Sequence, residues 1–132
     1  DYVEMQWRML QQEKPKDYVI ATGRQESVRK FIELSTASLG WGGLDWEGEG
    51  VDEIGRRSDN GAVVIRIDPR YFRPAEVETL LGDPGRAREE LGWTPSTTLE
   101  EMVNEMIAHD REEARKEAYL KQQGFKVVGP RE

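Results

Sequence analysis

Residues 62–76 read AVVIRIDPRYFRPAE. The first part alternates, with Val63, Ile65 and Ile67 on one side of an extended chain and Val64, Arg66 and Asp68 on the other. This spacing predicts a strand over 62–68. Pro69 ends it, because proline brings no N–H to a ladder. Pro74 suits the first turn of a short helix, where a missing N–H costs nothing. A short strand, a break and a short helix follow one another within a few residues.

The same punctuation runs outward in both directions. Downstream, Asp83 as N-cap and Pro84 at the first helical position start a helix that Gly92 ends. Thr94-Pro95 turns the chain. Thr97 and Thr98 are capping candidates, with Glu100 and Glu101 three residues on. Leu99, Met102, Val103, Met106 and Ile107 then form one apolar stripe. Past His109 the helix turns highly charged up to Gly124, and a short strand is expected over Phe125–Val128.

Upstream, 41–61 is the least regular stretch. It holds Gly42-Gly43, Gly48, Gly50, Gly55 and Asn60-Gly61, and reads as an irregular exposed loop or ribbon in which Leu44–Glu47 alternates like a short strand. A helix is expected from Ser27 to Leu39, with Val28, Phe31, Ile32 and Leu39 on one face and Gly40 as its stop. Asp17–Ala21 is β-rich and closed by Gly23. The first twelve residues have helical spacing, with Val3, Trp7 and Leu10 at i, i+4 and i+7, and Lys14-Pro15-Lys16 stops them. The expected class is α+β, short strands between amphipathic helices, without a βαβ series of long apolar strands. The chain opens on Asp1 already in helical register, and reads as a cut through a longer polypeptide.

The 132 residues fit one domain. The composition is wet, 36% hydrophobic and 34% charged, with a mean hydropathy of -0.78. Part of the apolar surface is therefore expected to serve a partner or a further domain. Nineteen Lys and Arg against 26 Asp and Glu give a net charge of -7. That argues against nucleic acid, whose phosphates call for a basic face. The absence of cysteine excludes disulfides and thiolate metal sites and fits a reducing compartment. No apolar run approaches the roughly 18 residues of a membrane span.

No complete active site is written in the chain. It has neither the glycine loop of a dinucleotide site nor that of an ATP site. None of Tyr2, Tyr18, Tyr71 and Tyr119 has a lysine four residues on. The sole histidine, His109, sits where the last helix becomes polar and reads as a surface residue. The segment that stands out is 66–76. Arg66, Arg70 and Arg73 fall within eight positions of an acidic chain, interleaved with Tyr71 and Phe72. Arginine offers a planar fork of donors that matches phosphate oxygens. Glu76, one helical turn after Arg73, can accept from vicinal ribose hydroxyls while the arginine holds a diphosphate. On spacing alone, an ordinary surface cluster with Arg–Glu pairing reads ahead of an anion site.

The wording of the segment adds to its spacing. The motifs RPxE at 73–76 and LGWxP at 91–95 resemble the carboxy-terminal signature of extended short-chain dehydrogenases that act on nucleotide sugars. The fuller strings DPRYFRPAEVETLLGDPGRAREELGWTP (68–95), DYVEMQWRMLQQ (1–12), DYVIATGRQESVRKFIELS (17–35) and TTLEEMVNEMIAHD (97–110) resemble the GDP-mannose 4,6-dehydratase family. The likeness spans nearly the whole chain and is weakest at 41–61 and after His109. It implies a large Rossmann domain for NADP, absent here, and a smaller α+β lobe for GDP-mannose, corresponding to 1–132. It implies a conversion of GDP-mannose to GDP-4-keto-6-deoxymannose, in which NADP takes a hydride from the sugar and returns it. It implies Arg73 on the diphosphate and Glu76 on the ribose, with Arg70 and Tyr71 as lining residues, and no catalytic residue. It also implies a cytoplasmic homo-oligomer for the full protein. No NADP is expected on this chain alone, which should be inactive. The competing readings are a lobe of another nucleotide-sugar dehydratase or epimerase, and a non-catalytic nucleotide-sugar-binding or assembly module.

Overall fold

The computed structural model describes residues 1–75 and 79–127. These form four α-helices and a three-stranded antiparallel sheet, a mixed α+β fold. The helices are α1 (Tyr2–Leu10), α2 (Val28–Ser38), α3 (Gly85–Leu91) and α4 (Leu99–Gln122); the strands are β1 (Leu44–Glu47), β2 (Ile54–Arg57) and β3 (Val63–Arg66).

The core sits between α1 and α3. Met5, Ala87 and Trp93 are buried together, and Met9, Tyr18, Ile20 and Leu91 pack against them. Trp93, 1% exposed, is the largest side chain in it. Its indole N–H donates to the Asp1 carbonyl at 3.0 Å, which satisfies the one polar atom that burial would otherwise strand. The Asp1 carboxylate accepts from the Ser96 N–H, the Ser96 hydroxyl and the Thr97 N–H. Asp1 thus ties the start of α1 to the connection before α4.

The face of α1 that reaches this core is not the one its apolar spacing suggested. Met5 and Met9 point inward, whereas Val3, Trp7 and Leu10 are 78%, 61% and 82% exposed. The stripe is real, but the described residues place nothing over it.

The expected strand at 17–21 does not form a ladder. Its alternation survives, with Tyr18 and Ile20 on the core and Val19 exposed. A strand is defined by its partner, and no described residue pairs with this one. A Cβ at Gly82 would come within 2.8 Å of Ala21 Cβ, so glycine there lets two chain segments lie close.

Within 41–61, expected as an irregular loop or ribbon with Leu44–Glu47 strand-like, Leu44–Glu47 is β1 and Ile54–Arg57 adds a second strand. β1 pairs with β2 with Leu44 opposite Arg57 and Glu47 opposite Ile54. β2 pairs with β3 with Ile54 opposite Arg66, and a bulge falls between Gly55 and Arg56. Gly55 hid the strand from sequence reading, yet the sheet needs it. A Cβ there would meet Ile65 Cβ at 3.1 Å and Trp46 Cζ3 at 3.3 Å. A 3-10 turn, Gly50–Asp52, joins β1 to β2.

α2 begins at its N-cap Ser27, whose hydroxyl accepts the Lys30 N–H. It ends with Gly40 in the left-handed region, where the N–H groups of Gly40 and Trp41 donate to Ala37 and Thr36 carbonyls. α3 starts one residue later than expected, but Asp83 still accepts the Gly85 N–H at 2.8 Å, and Gly92 closes the helix at φ 60°. α4 carries the expected capping box between Thr98 and Glu101. It packs on α2 and buries Val103; Met102 and Met106 of its stripe stay exposed. Past His109 it is held by ion pairs one turn apart, Glu113–Lys116 and Glu117–Lys121. Residues 125–127 of the expected strand form none, and a helix stop precedes them. Gly124 and Phe125 donate their N–H groups to Lys121 and Leu120 carbonyls, which consumes the backbone a strand would use; Val128 lies outside the described residues.

Candidate functional site

The arginine-rich segment leaves β3 after Arg66 and folds into a turn. The Asp68 carbonyl accepts the Tyr71 N–H at 3.0 Å. The Asp68 carboxylate accepts the Arg70 N–H at 2.9 Å and the Arg70 guanidinium at 2.8 Å. These bonds to Arg70, side chain first and then backbone, hold the Asp68 carboxyl below its ordinary pKa. The Arg70 guanidinium also lies 5.4 Å from the centre of the Tyr71 ring.

Arg70 and Tyr71 are therefore brought together, both exposed on the surface. Arg73 follows on the same exposed segment. Glu76 lies outside the described residues, as does the body of the short helix expected after Pro74. The fork of Arg70 is already matched by Asp68. Sequence reading missed this partner, although a carboxylate two residues before an arginine at a turn is a visible signal.

A second neighbour was also missed. The ring of Phe72 reaches the 3-10 turn between β1 and β2, where a Cβ added at Gly50 would lie 3.8 Å from Phe72 Cζ. That turn is anchored to α2: Arg29 forms an ion pair with Glu53 and stacks over the Trp46 ring at 4.0 Å. The segment thus sits beside a braced hairpin.

Elsewhere, a groove of about 660 Å³ opens between the starts of α1 and α4, lined by Tyr2, Thr22, Arg24, Pro95, Thr98 and Met102 among others. None of Arg70, Tyr71 and Arg73 lines it. His109 is exposed on α4 beside Met106 and Asp110. No group of three or more potential metal ligands occurs among the described residues. No helix among them is long and apolar enough to cross a membrane.

Comparison with known proteins gives these residues a context. The family model for GDP-mannose 4,6 dehydratase matches residues 1–106. The chain is 50% identical to the GDP-mannose 4,6-dehydratase of Yersinia enterocolitica, over 96% of this chain and 37% of that protein. It is 53% identical to the GDP-mannose 4,6-dehydratase of Vibrio cholerae, over 96% of this chain and 36% of that protein. With the GDP-mannose 4,6 dehydratase 2 of Caenorhabditis elegans it shares 56% identity, over 83% of this chain and 28% of that protein. The chain thus spans between 28% and 37% of the length of these relatives. It belongs to the GDP-mannose 4,6-dehydratase family.

Proposed function

We propose that this chain is the carboxy-terminal, substrate-binding part of a GDP-mannose 4,6-dehydratase, a lyase, and that it grips the GDP end of the substrate. The observation that carries the reading is the match itself: half of the residues are identical across 96% of the chain, within only 37% of the relative's length. Arg73 supplies a charged fork to the diphosphate, and Glu76 accepts from the ribose hydroxyls. Tyr71 and Arg70 flank the nucleotide, with Arg70 oriented by Asp68.

The complete enzyme draws on NADP as its hydride carrier, and the residues present do not fit that cofactor. Dinucleotide sites use a parallel strand, a glycine-rich turn and the N-terminus of the next helix. The sheet among the described residues is an antiparallel meander. The sequence has no G-x-G-x-x-G. No redox step is assigned to this chain. The outward apolar residues of α1, Val3, Trp7 and Leu10, support the presence of a further domain that covers them. Homo-oligomeric assembly and a cytoplasmic location of the complete protein belong to the same reading.

Calorimetric titration of the complete polypeptide with GDP-mannose, UDP-glucose and dTDP-glucose tests the assignment. GDP-mannose should bind at least about tenfold more tightly than the other two, a difference of roughly 1.4 kcal/mol. Preference for a non-guanine nucleotide sugar would overturn it.

A further inference from the structure

The turn that carries Arg73 has two kinds of support. Its bonds between Asp68, Arg70 and Tyr71 are local and fix its shape. Its approach to the hairpin is made by the ring of Phe72, whose Cζ would lie 3.8 Å from a Cβ added at Gly50. Tyr71, Phe72 and Arg73 are all exposed, and of the two rings Phe72 is the more covered, at 42% exposed against 76% for Tyr71.

The turn beside the ring is braced by hydrogen bonds. Gly50 sits at φ 60° and opens a 3-10 turn in which the Asp52 and Glu53 N–H groups donate to the Glu49 and Gly50 carbonyls. Gly48 admits this turn, since a Cβ there would strike the Asp52 carbonyl oxygen at 2.6 Å. Arg29 of α2 holds the hairpin through Glu53 and Trp46. The pairing of Ile54 with Arg66 puts the hairpin tip beside the point where β3 releases the turn. Arg73 is one residue past Phe72, so its Cα stays about 3.8 Å from that of a seated residue.

We propose that Phe72, seated on the Gly50 turn, is a positioning residue that presents Arg73 to the diphosphate. This rests on the ligand role of Arg73 proposed above. With the ring removed, the turn would have to be ordered when the nucleotide binds, and that entropy would weaken binding. Chemistry at the sugar would be untouched once substrate is bound, so KM should move and kcat should not.

Steady-state kinetics on GDP-mannose, with the complete polypeptide, test this through Phe72→Ala, Phe72→Tyr, Phe72→Leu, Arg73→Ala and the Phe72→Ala/Arg73→Ala pair. Phe72→Ala should raise KM roughly 3- to 10-fold with kcat within about twofold. Phe72→Tyr should restore KM to within about twofold, and in the Arg73→Ala background Phe72→Ala should add less than about twofold. If Phe72→Ala does not fold, Phe72→Leu, which keeps apolar bulk but not the ring's reach, replaces it with the same expected direction. A raised KM in Arg73→Ala beside an unchanged KM in the Phe72 variant overturns this inference alone, as does a full additive effect in the pair. An unchanged KM in Arg73→Ala overturns the ligand role and this inference with it.

Discussion

Trp93 shows how much one residue does in a small core. It is buried against Met5 and Ala87, meets Tyr2 at 6.4 Å between ring centres, and closes on the Asp1 carbonyl through its indole N–H. Trp93→Ala should cost about 3–5 kcal/mol, the range for emptying a large aromatic site. Trp93→Phe keeps most of the volume and loses the hydrogen bond, and should cost less. Thermal or denaturant unfolding of the two variants checks the order; equal losses would show that the Asp1 contact dominates. At the candidate site the legible part was residue type. Three arginines in an acidic chain marked the segment, and the family wording suggested the roles proposed for Arg73 and Glu76. Two contacts were illegible. The Asp68–Arg70 pair depends on a turn geometry that spacing leaves open. The approach of Phe72 to the Gly50 turn brings together residues 22 positions apart, and no periodicity encodes such a meeting.

At the level of elements, helices were far easier to read than strands, because a helix satisfies its own backbone and announces its ends. Thr98 illustrates this: its hydroxyl accepts the Glu101 N–H, and the Glu101 carboxylate accepts from the Thr98 N–H and hydroxyl. Those bonds hold the Glu101 carboxyl below its ordinary pKa. Thr98→Ala should lower stability by about 1 kcal/mol, and circular dichroism during unfolding reads the loss. β2 was missed because Ile54-Gly55-Arg56-Arg57 has no apolar alternation; its place comes from β1 and β3 on either side. The segment 17–21 failed in the opposite sense, with strand-like residues and no described partner. A pH effect belongs at this scale too. Glu90 of α3 accepts from Lys16 Nζ and the Tyr18 hydroxyl, each at 2.8 Å, and so clamps the segment after α1 onto α3. Hydrogen bonds from Lys16 first and Tyr18 second hold the Glu90 carboxyl below its ordinary pKa. A depressed carboxylate stabilises the fold above its unfolded pKa, about 4.3, and that contribution disappears as pH falls through the lower, folded value. Unfolding midpoints measured from pH 7 downward should therefore decline less steeply for Glu90→Gln than for the parent chain.

As a whole molecule, the described chain has a small core and much outward apolar surface, including Val3, Trp7 and Leu10 on one helix. That balance suits a lobe that packs against further chain. It also sets two expectations for the isolated 132 residues. They should turn over no GDP-mannose when NADP is added, since the sheet among the described residues is antiparallel and the sequence has no G-x-G-x-x-G. Their affinity for GDP-mannose should be weaker than about 1 μM, because ligand sites shared between domains lose burial when one is missing. Calorimetry and a turnover assay on the pure chain check both. The central claim is that Arg73 holds the diphosphate of GDP. Its most direct test is the dissociation constant of GDP for the complete polypeptide, measured with and without Arg73→Ala. A hydrogen-bonded charge contact of this kind is worth roughly 1.5–3 kcal/mol, so the expected result is a weakening of about tenfold or more. An unchanged dissociation constant would contradict it.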